Sequence, residues 1–217
     1  MPAMAGAQLV YRSPMPAPRV SVVPVGKMDV AEIEAALVRV AKALGGPVEL
    51  REPVALPKAT EDAARGQHDA RALMVQLRSK LPTLRAVKLV GGAAPAPVGA
   101  PVTWAQPDAA VFVTDVDLFA PQTEHVLADA SAPLKSALVS VRRLRESFYR
   151  RKADPQLQRA RLAKEILRGI GRARGLRECN DPSCALGPTQ TLHDVDRKGE
   201  RLCPDCLRRL TTGVVRV

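Results

Sequence analysis

The chain has 217 residues, with 33 Lys plus Arg against 22 Asp plus Glu and a formal net charge of +11. Apolar residues make up 46% and aromatics only 3%, which excludes a disordered chain and leaves little material for a base-stacking platform or an aromatic-lined pocket. No apolar run reaches the roughly 18 residues a spanning helix needs, and the first residues show no basic head followed by an apolar stretch. No secretory signal is therefore expected, and the cytoplasm is the expected compartment.

Residues 1–18, rich in Pro and Ala, read as a flexible arm, and 19–217 as a single domain. Val20-Ser21-Val22-Val23-Pro24-Val25 is a β-branched run and predicts a strand. Asp29 then offers an N-cap for a helix in which Ile33, Leu37, Val40, Ala41 and Leu44 recur at three- and four-residue spacing, with Gly45-Gly46 ending it. Residues 48–56 read as a second strand interrupted by Pro53. Residues 69–81 predict a second helix with Ala72, Leu73, Met74, Val75 and Leu77 as its apolar face. A short strand at 86–90 leads into a Gly/Ala/Pro loop at 91–101.

Residues 109–119 form the clearest strand, with Asp115 and Asp117 at its end; further extended segments fall at 124–127 and 137–141. A final long helix starts with Asp154 as N-cap and Pro155 in its first turn, and runs to about Ala173. Strands alternating with helices, then a Cys-rich tail, indicate an α/β sandwich.

Cys179, Cys184, Cys203 and Cys206 are all the cysteines in the chain, spaced C-x4-C, eighteen residues, C-x2-C. Two thiolate pairs on tight turns, helped by Pro182 and Pro204, suit a tetrahedral zinc site. Four sulfur ligands leave no open position for water, so one structural zinc is expected at 179–206. The basic excess is uneven, with 13 basic and four acidic residues between Arg142 and Glu178. Lys198, Arg201, Arg208 and Arg209 flank the cysteines with no aromatic among them, so a solvated basic surface is expected there rather than a nucleic-acid site.

Four stretches resemble the archaemetzincins, small zinc metallopeptidases of the metzincin clan. They are residues 20–26, Thr114-Asp115-Val116-Asp117-Leu118-Phe119, residues 136–149 and residues 164–206. In the last, Asp196-Arg197-Lys198-Gly199 followed by Cys203-Pro204-Asp205-Cys206 is especially close. The resemblance implies a metzincin-like mixed β-sheet with flanking helices, a long active-site helix and a C-terminal four-cysteine zinc knuckle. In that family a catalytic zinc is held by H-E-x-x-H-x-x-G-x-x-H just before the first cysteine. Two His share a helix face, the Gly turns the chain so a third can reach the metal, and the Glu serves as general base.

Counting back from Cys179, the three His positions hold Arg168, Arg172 and Glu178, the general-base position holds Gly169, and the turn glycine is kept as Gly175. The Met that usually underlies the metal is Leu186. Arg cannot deprotonate to become a ligand. At about 5 Å and an effective dielectric near 20, each guanidinium would oppose Zn²⁺ by about 7 kcal/mol. The three histidines, His68, His125 and His193, are far apart in sequence, and none lies in the helix.

Arg168 and Arg172, about 6 Å apart along one helix face, are expected to pair with Glu178 and Asp117, or else to bind a carboxylate or phosphate. The expectation is therefore a catalytically inactive member of the family, with one structural zinc and a remnant cleft for a peptide or anion. Two further readings stand beside it: a zinc-dependent metallopeptidase with unorthodox ligands, and a basic zinc-containing nucleic-acid-binding module.

Overall fold

The computed structural model describes residues 19–91 and 108–212, so the expected arm at 1–18 and most of the loop at 91–101 lie outside it. Strand β1 (Val20–Val25) is buried throughout. Helix α1 (Val30–Leu44) starts where the Asp29 carboxylate accepts the N–H groups of Ala31 and Glu32, and stops at Gly45, whose φ of 68° only glycine adopts freely. Strand β2 (Val48–Arg51) is shorter than the expected 48–56. Pro53 cannot donate to a ladder, and only Val54 rejoins, as a bridge to Val25.

Strands β3 (Glu61–Asp62) and β4 (Gln67–Asp69) precede helix α2 (Ala70–Lys80), capped by Asp69. The buried face of α2 is Ala70, Leu73, Met74 and Leu77; Ala72 and Val75, expected in it, are exposed because the helical period carries them round to solvent.

Strand β5 (Ala86–Val90) follows. The run at 109–119 is two elements, β6 (Ala109–Thr114) and β7 (Leu118–Phe119), which belong to different sheets. Residues 124–127 are not a strand; the next ones are β8 (Ala128–Ser131) and β9 (Ser136–Ser140). Helix α3 (Pro155–Ala173) begins as expected, with the Asp154 carboxylate accepting from Leu157 N–H. Two short helices unforeseen in the sequence, α4 (Leu192–Arg197) and α5 (Pro204–Thr212), build the tail. Among the described residues no helix is long and apolar enough to cross a membrane.

The main sheet has the order β5-β2-β1-β6-β9-β8. Its four central strands are parallel, and both edges, β5 and β8, are antiparallel. Alternate residues feed two cores. Val20, Val22, Val111, Val113 and Val139 face α1 and α3, while Val23, Val25, Phe112 and Leu138 face α2. Near-continuous apolar strands are what a sheet covered on both faces requires. The small sheet β3-β4-β7 lies outside the main one and joins β4 to β7 in parallel. Helix α3 packs on β6, β8 and β9 and against α1, and this placement sets the candidate site.

Candidate functional site

The C-terminal end of α3 is shaped by Gly175. Its N–H donates to the Arg172 carbonyl and the Leu176 N–H to the Gly171 carbonyl, while Gly175 takes a φ of 84°. This pair of bonds is a Schellman cap, and it reverses the chain so that Glu178 returns to the helix. Arg168 Nη2 donates to Glu178 Oε1 at 2.5 Å, and Arg172 Nη1 to the Leu176 carbonyl at 2.9 Å. Arg168 Nε is buried without an acceptor, so the side-on fork of its guanidinium is only half used.

The expected pairing with Asp117 does not occur. Arg143 takes that carboxylate with both Nε and Nη2, at 2.6 and 2.7 Å, and Gln67 Nε2 adds a third bond at 2.9 Å. Burial pushes the Asp117 carboxyl up, but these bonds outweigh it and hold it below the usual range. Asp117 lies just before β7 and anchors that corner through Arg143 and Gln67.

Gly169 faces the sheet. A Cβ built there would come within 2.9 Å of Ala137 Cβ on β9, so α3 rests on the strand at this point. Gly171 makes the corresponding contact with the tail, where an added Cβ would collide with Leu186 Cδ1. Leu186, fully buried, thus fills the space beneath the helix.

The four cysteines converge. Their sulfurs lie within 4.8 Å of one another, and Cys179 Sγ is 3.8 Å from Cys203 Sγ. A tetrahedron with metal–sulfur bonds of about 2.3 Å has edges of about 3.8 Å, so the donors suit one zinc ion in both type and spacing. Cys179 and Cys184 flank a turn in which Asp181 accepts from the Ser183 N–H and hydroxyl. The second pair departs from expectation. Pro204 opens α5, and the Cys203 carbonyl accepts from Leu207 N–H, so a helix start replaces the second turn.

Burial pushes the Cys184 and Cys206 thiols up. At Cys203 burial acts the same way, but bonds from the Cys206 backbone and the neighbouring thiols prevail and bring it down. A metal ion bound by these sulfurs would have to displace their protons. Cys179 is half-buried and lines a cavity of about 290 Å³ with Asp181, Pro188, Asp194, Arg197 and Lys198.

Among the described residues these cysteines are the only group of three or more metal-binding side chains. The histidines do not converge. His68 is buried in β4 with Nδ1 2.9 Å from Thr60 Oγ1, His193 is exposed on α4, and His125 lies ahead of β8.

The sequence reading missed a charged seam between α3 and the tail. Arg161, Lys164, Glu165 and Arg168 share one helix face at i, i+3, i+4 and i+7 spacing, a pattern that mimics a solvent face. The first three are buried. Arg161 holds Asp196 with two bonds of 2.7 Å and Glu146 at 2.6 Å. Lys164 donates to the carbonyls of Val195 and Asp196. Glu165, fully buried, pairs with Lys198 at 2.7 Å. Lys198 is thus no part of a solvated basic surface; it is 4% exposed and also donates to Thr189 Oγ1. Arg208 and Arg209 do lie on the surface, paired with Asp205.

Comparison with known proteins agrees with this architecture. The model of peptidase family M54 matches residues 102–212. An archaemetzincin of Methanopyrus kandleri is 31% identical over 172 residues, which cover 79% of this chain and 82% of that one. An archaemetzincin of Thermococcus kodakarensis is 36% identical over 102 residues, 47% of this chain. The chain spans little more than half of the first relatives it matches, 55% of the Thermococcus kodakarensis protein and 57% of the one from Pyrococcus horikoshii.

Among solved structures, a zinc-dependent peptidase of Methanocorpusculum labreanum superposes with a TM-score of 0.73 at 23% identity, covering 88% of this chain and 99% of that one. The Methanopyrus kandleri archaemetzincin gives a TM-score of 0.69 at 25% identity, over 96% of this chain and 100% of that one. With a family model matching its C-terminal half and a relative aligned over most of both chains, this chain belongs to peptidase family M54, the archaemetzincins.

Proposed function

We propose that this archaemetzincin is a non-hydrolytic binding module, held together by one zinc ion on Cys179, Cys184, Cys203 and Cys206 and carrying a remnant cleft at Arg168, Gly169, Arg172, Gly175 and Glu178. The observation that carries the reading is the state of α3. Two guanidiniums stand where nitrogen ligands would be needed, and Gly169 is packed against Ala137, where a water-activating carboxylate would have to project. Zinc on four thiolates has no position for water and supplies folding energy, not chemistry.

The ligand class follows from the arginines. Arg168 already holds one carboxylate, that of Glu178, through one nitrogen, and its unused Nε fits the second oxygen of a peptide carboxylate or a phosphate. A ligand entering the cleft would exchange with Glu178. Four thiols outside any disulfide fit the reducing cytoplasm.

Elemental analysis of protein purified without chelator, paired with a peptide-cleavage screen, tests the inactive reading. One zinc per chain and no chelator-sensitive cleavage are expected. Two metals per chain together with cleavage that a chelator abolishes would overturn it. For the ligand, calorimetry with inorganic phosphate and with a short peptide bearing a free C-terminus should show binding that Arg168→Ala/Arg172→Ala removes. Equal heats for the variant and the parent would refute an anion site.

A further inference from the structure

We propose that Cys179 and Cys203 form a peroxide-oxidisable pair, a modification site built into the zinc cluster. The four cysteines are equivalent in type but not in burial. Cys184 is fully buried and Cys206 is 7% exposed, whereas Cys179 and Cys203 are only half-buried. The sulfurs of these two less buried residues lie 3.8 Å apart. Cys184 Sγ, by contrast, sits in the interior and accepts the Cys203 N–H at 3.3 Å, a bond that draws charge off that sulfur.

Access has a route. Cys179 forms part of the wall of the cavity beside the cluster, whose volume of about 290 Å³ exceeds that of a peroxide many times over. Arg197 on the same wall has an exposed side chain and offers N–H groups that could steady a departing hydroxide.

The chemistry balances as a two-electron step. The Cys179 thiolate attacks one peroxide oxygen, the O–O bond breaks, and the hydroxide released is protonated to water, leaving a sulfenic acid on Cys179. The Cys203 thiolate then attacks that sulfur, forms the S–S bond and expels a second hydroxide, which is also protonated. The sum is one hydrogen peroxide, two thiolates and two protons giving one disulfide and two waters. Cys184 and Cys206 would then be the only thiolates left, half of the set that would hold a zinc ion, so oxidation would release it.

Glu178 precedes Cys179 and is the carboxylate on Arg168, so closing the disulfide would tug on the remnant cleft. That consequence rests on the cleft reading above; the oxidation itself does not.

The test uses the full chain loaded with one zinc and titrated with hydrogen peroxide. Zinc release is followed with a chromogenic chelator, and disulfides are mapped by mass spectrometry of unreduced peptides. One zinc should appear per Cys179–Cys203 disulfide, and a thiol reductant plus zinc should reverse both. In limiting N-ethylmaleimide, labelling of Cys179 should outrun that of Cys184 by about tenfold. Zinc retained with all four thiols intact under excess peroxide would overturn the proposal, as would a disulfide map dominated by Cys184 or Cys206. Because every readout is on the parent protein, no variant has to fold.

Discussion

The last helix of the sandwich and the tail behind it carry the two halves of one frame, and they have fared differently. In the tail, four sulfurs from two chain segments meet within 4.8 Å, and backbone bonds such as Cys179 N–H to the Leu186 carbonyl and Ala185 N–H to the Arg201 carbonyl hold the segments in register. At the end of α3, the Schellman turn still brings residue 178 back to residue 168, yet the side chains that meet there are a carboxylate and a guanidinium. Backbone geometry is the same kind of achievement in both places. What differs is the side chains at its focus: thiolates can take a metal, a guanidinium cannot, and an ion pair holds that place instead.

The contrast can be broken most severely from the tail. Stripping zinc with a chelator should remove the reason for four thiols to sit together and unfold 179–206, with a large loss of ellipticity and of thermal stability. If the proposed non-hydrolytic reading holds, the same treatment should leave peptide turnover unchanged. A chelated protein with an unchanged melting curve would mean that the cysteines pack as ordinary apolar groups.

A smaller effect is expected where the two halves are sewn together. Glu165→Ala would strand Lys198 in the interior and should cost about 3–5 kcal/mol in denaturant unfolding. Replacing Glu165 and Lys198 together with Met should cost much less. If the single variant is as stable as the double, the seam is not the tie described here.

The smallest change sharpens the comparison at α3. Gly169→Ala gains about 1 kcal/mol of helix propensity but forces a contact of 2.9 Å on Ala137. Overpacking of about 1–3 kcal/mol should prevail, giving a net loss near 1 kcal/mol. A stabilised variant would show that the helix has slack above the sheet.

Much of this was legible in the residues. Asp29 and Asp154 each announced a helix start, because a short carboxylate side chain reaches the free N–H groups of a first turn, and in the fold Asp69 caps α2 in the same way. The β-branched runs gave the central strands, and the cysteine spacing located the metal centre. The strand reading of 109–119 failed at Asp115, because an apolar run does not reveal that its two ends enter different sheets. The apolar face of α2 was drawn too wide, since adjacency in sequence is not adjacency on a helix. The seam was hidden for a deeper reason. Arg161, Lys164 and Glu165 carry a surface pattern, and only the tail, folding over them with Asp196 and Lys198, turns that pattern into an interior. The displacement of Asp117 from the arginines of α3 likewise depends on Arg143 arriving from the end of β9, a long-range meeting that no local pattern records.

The contact between Gly169 and Ala137 also limits what position 169 can hold. A hydrogen there lets the helix settle on the strand, and the settled helix then excludes any larger side chain. A glutamate written in at 169 would need the helix lifted or Ala137 trimmed to make room. The packing acts as a latch, and any larger side chain at 169 must release the strand before it can fit.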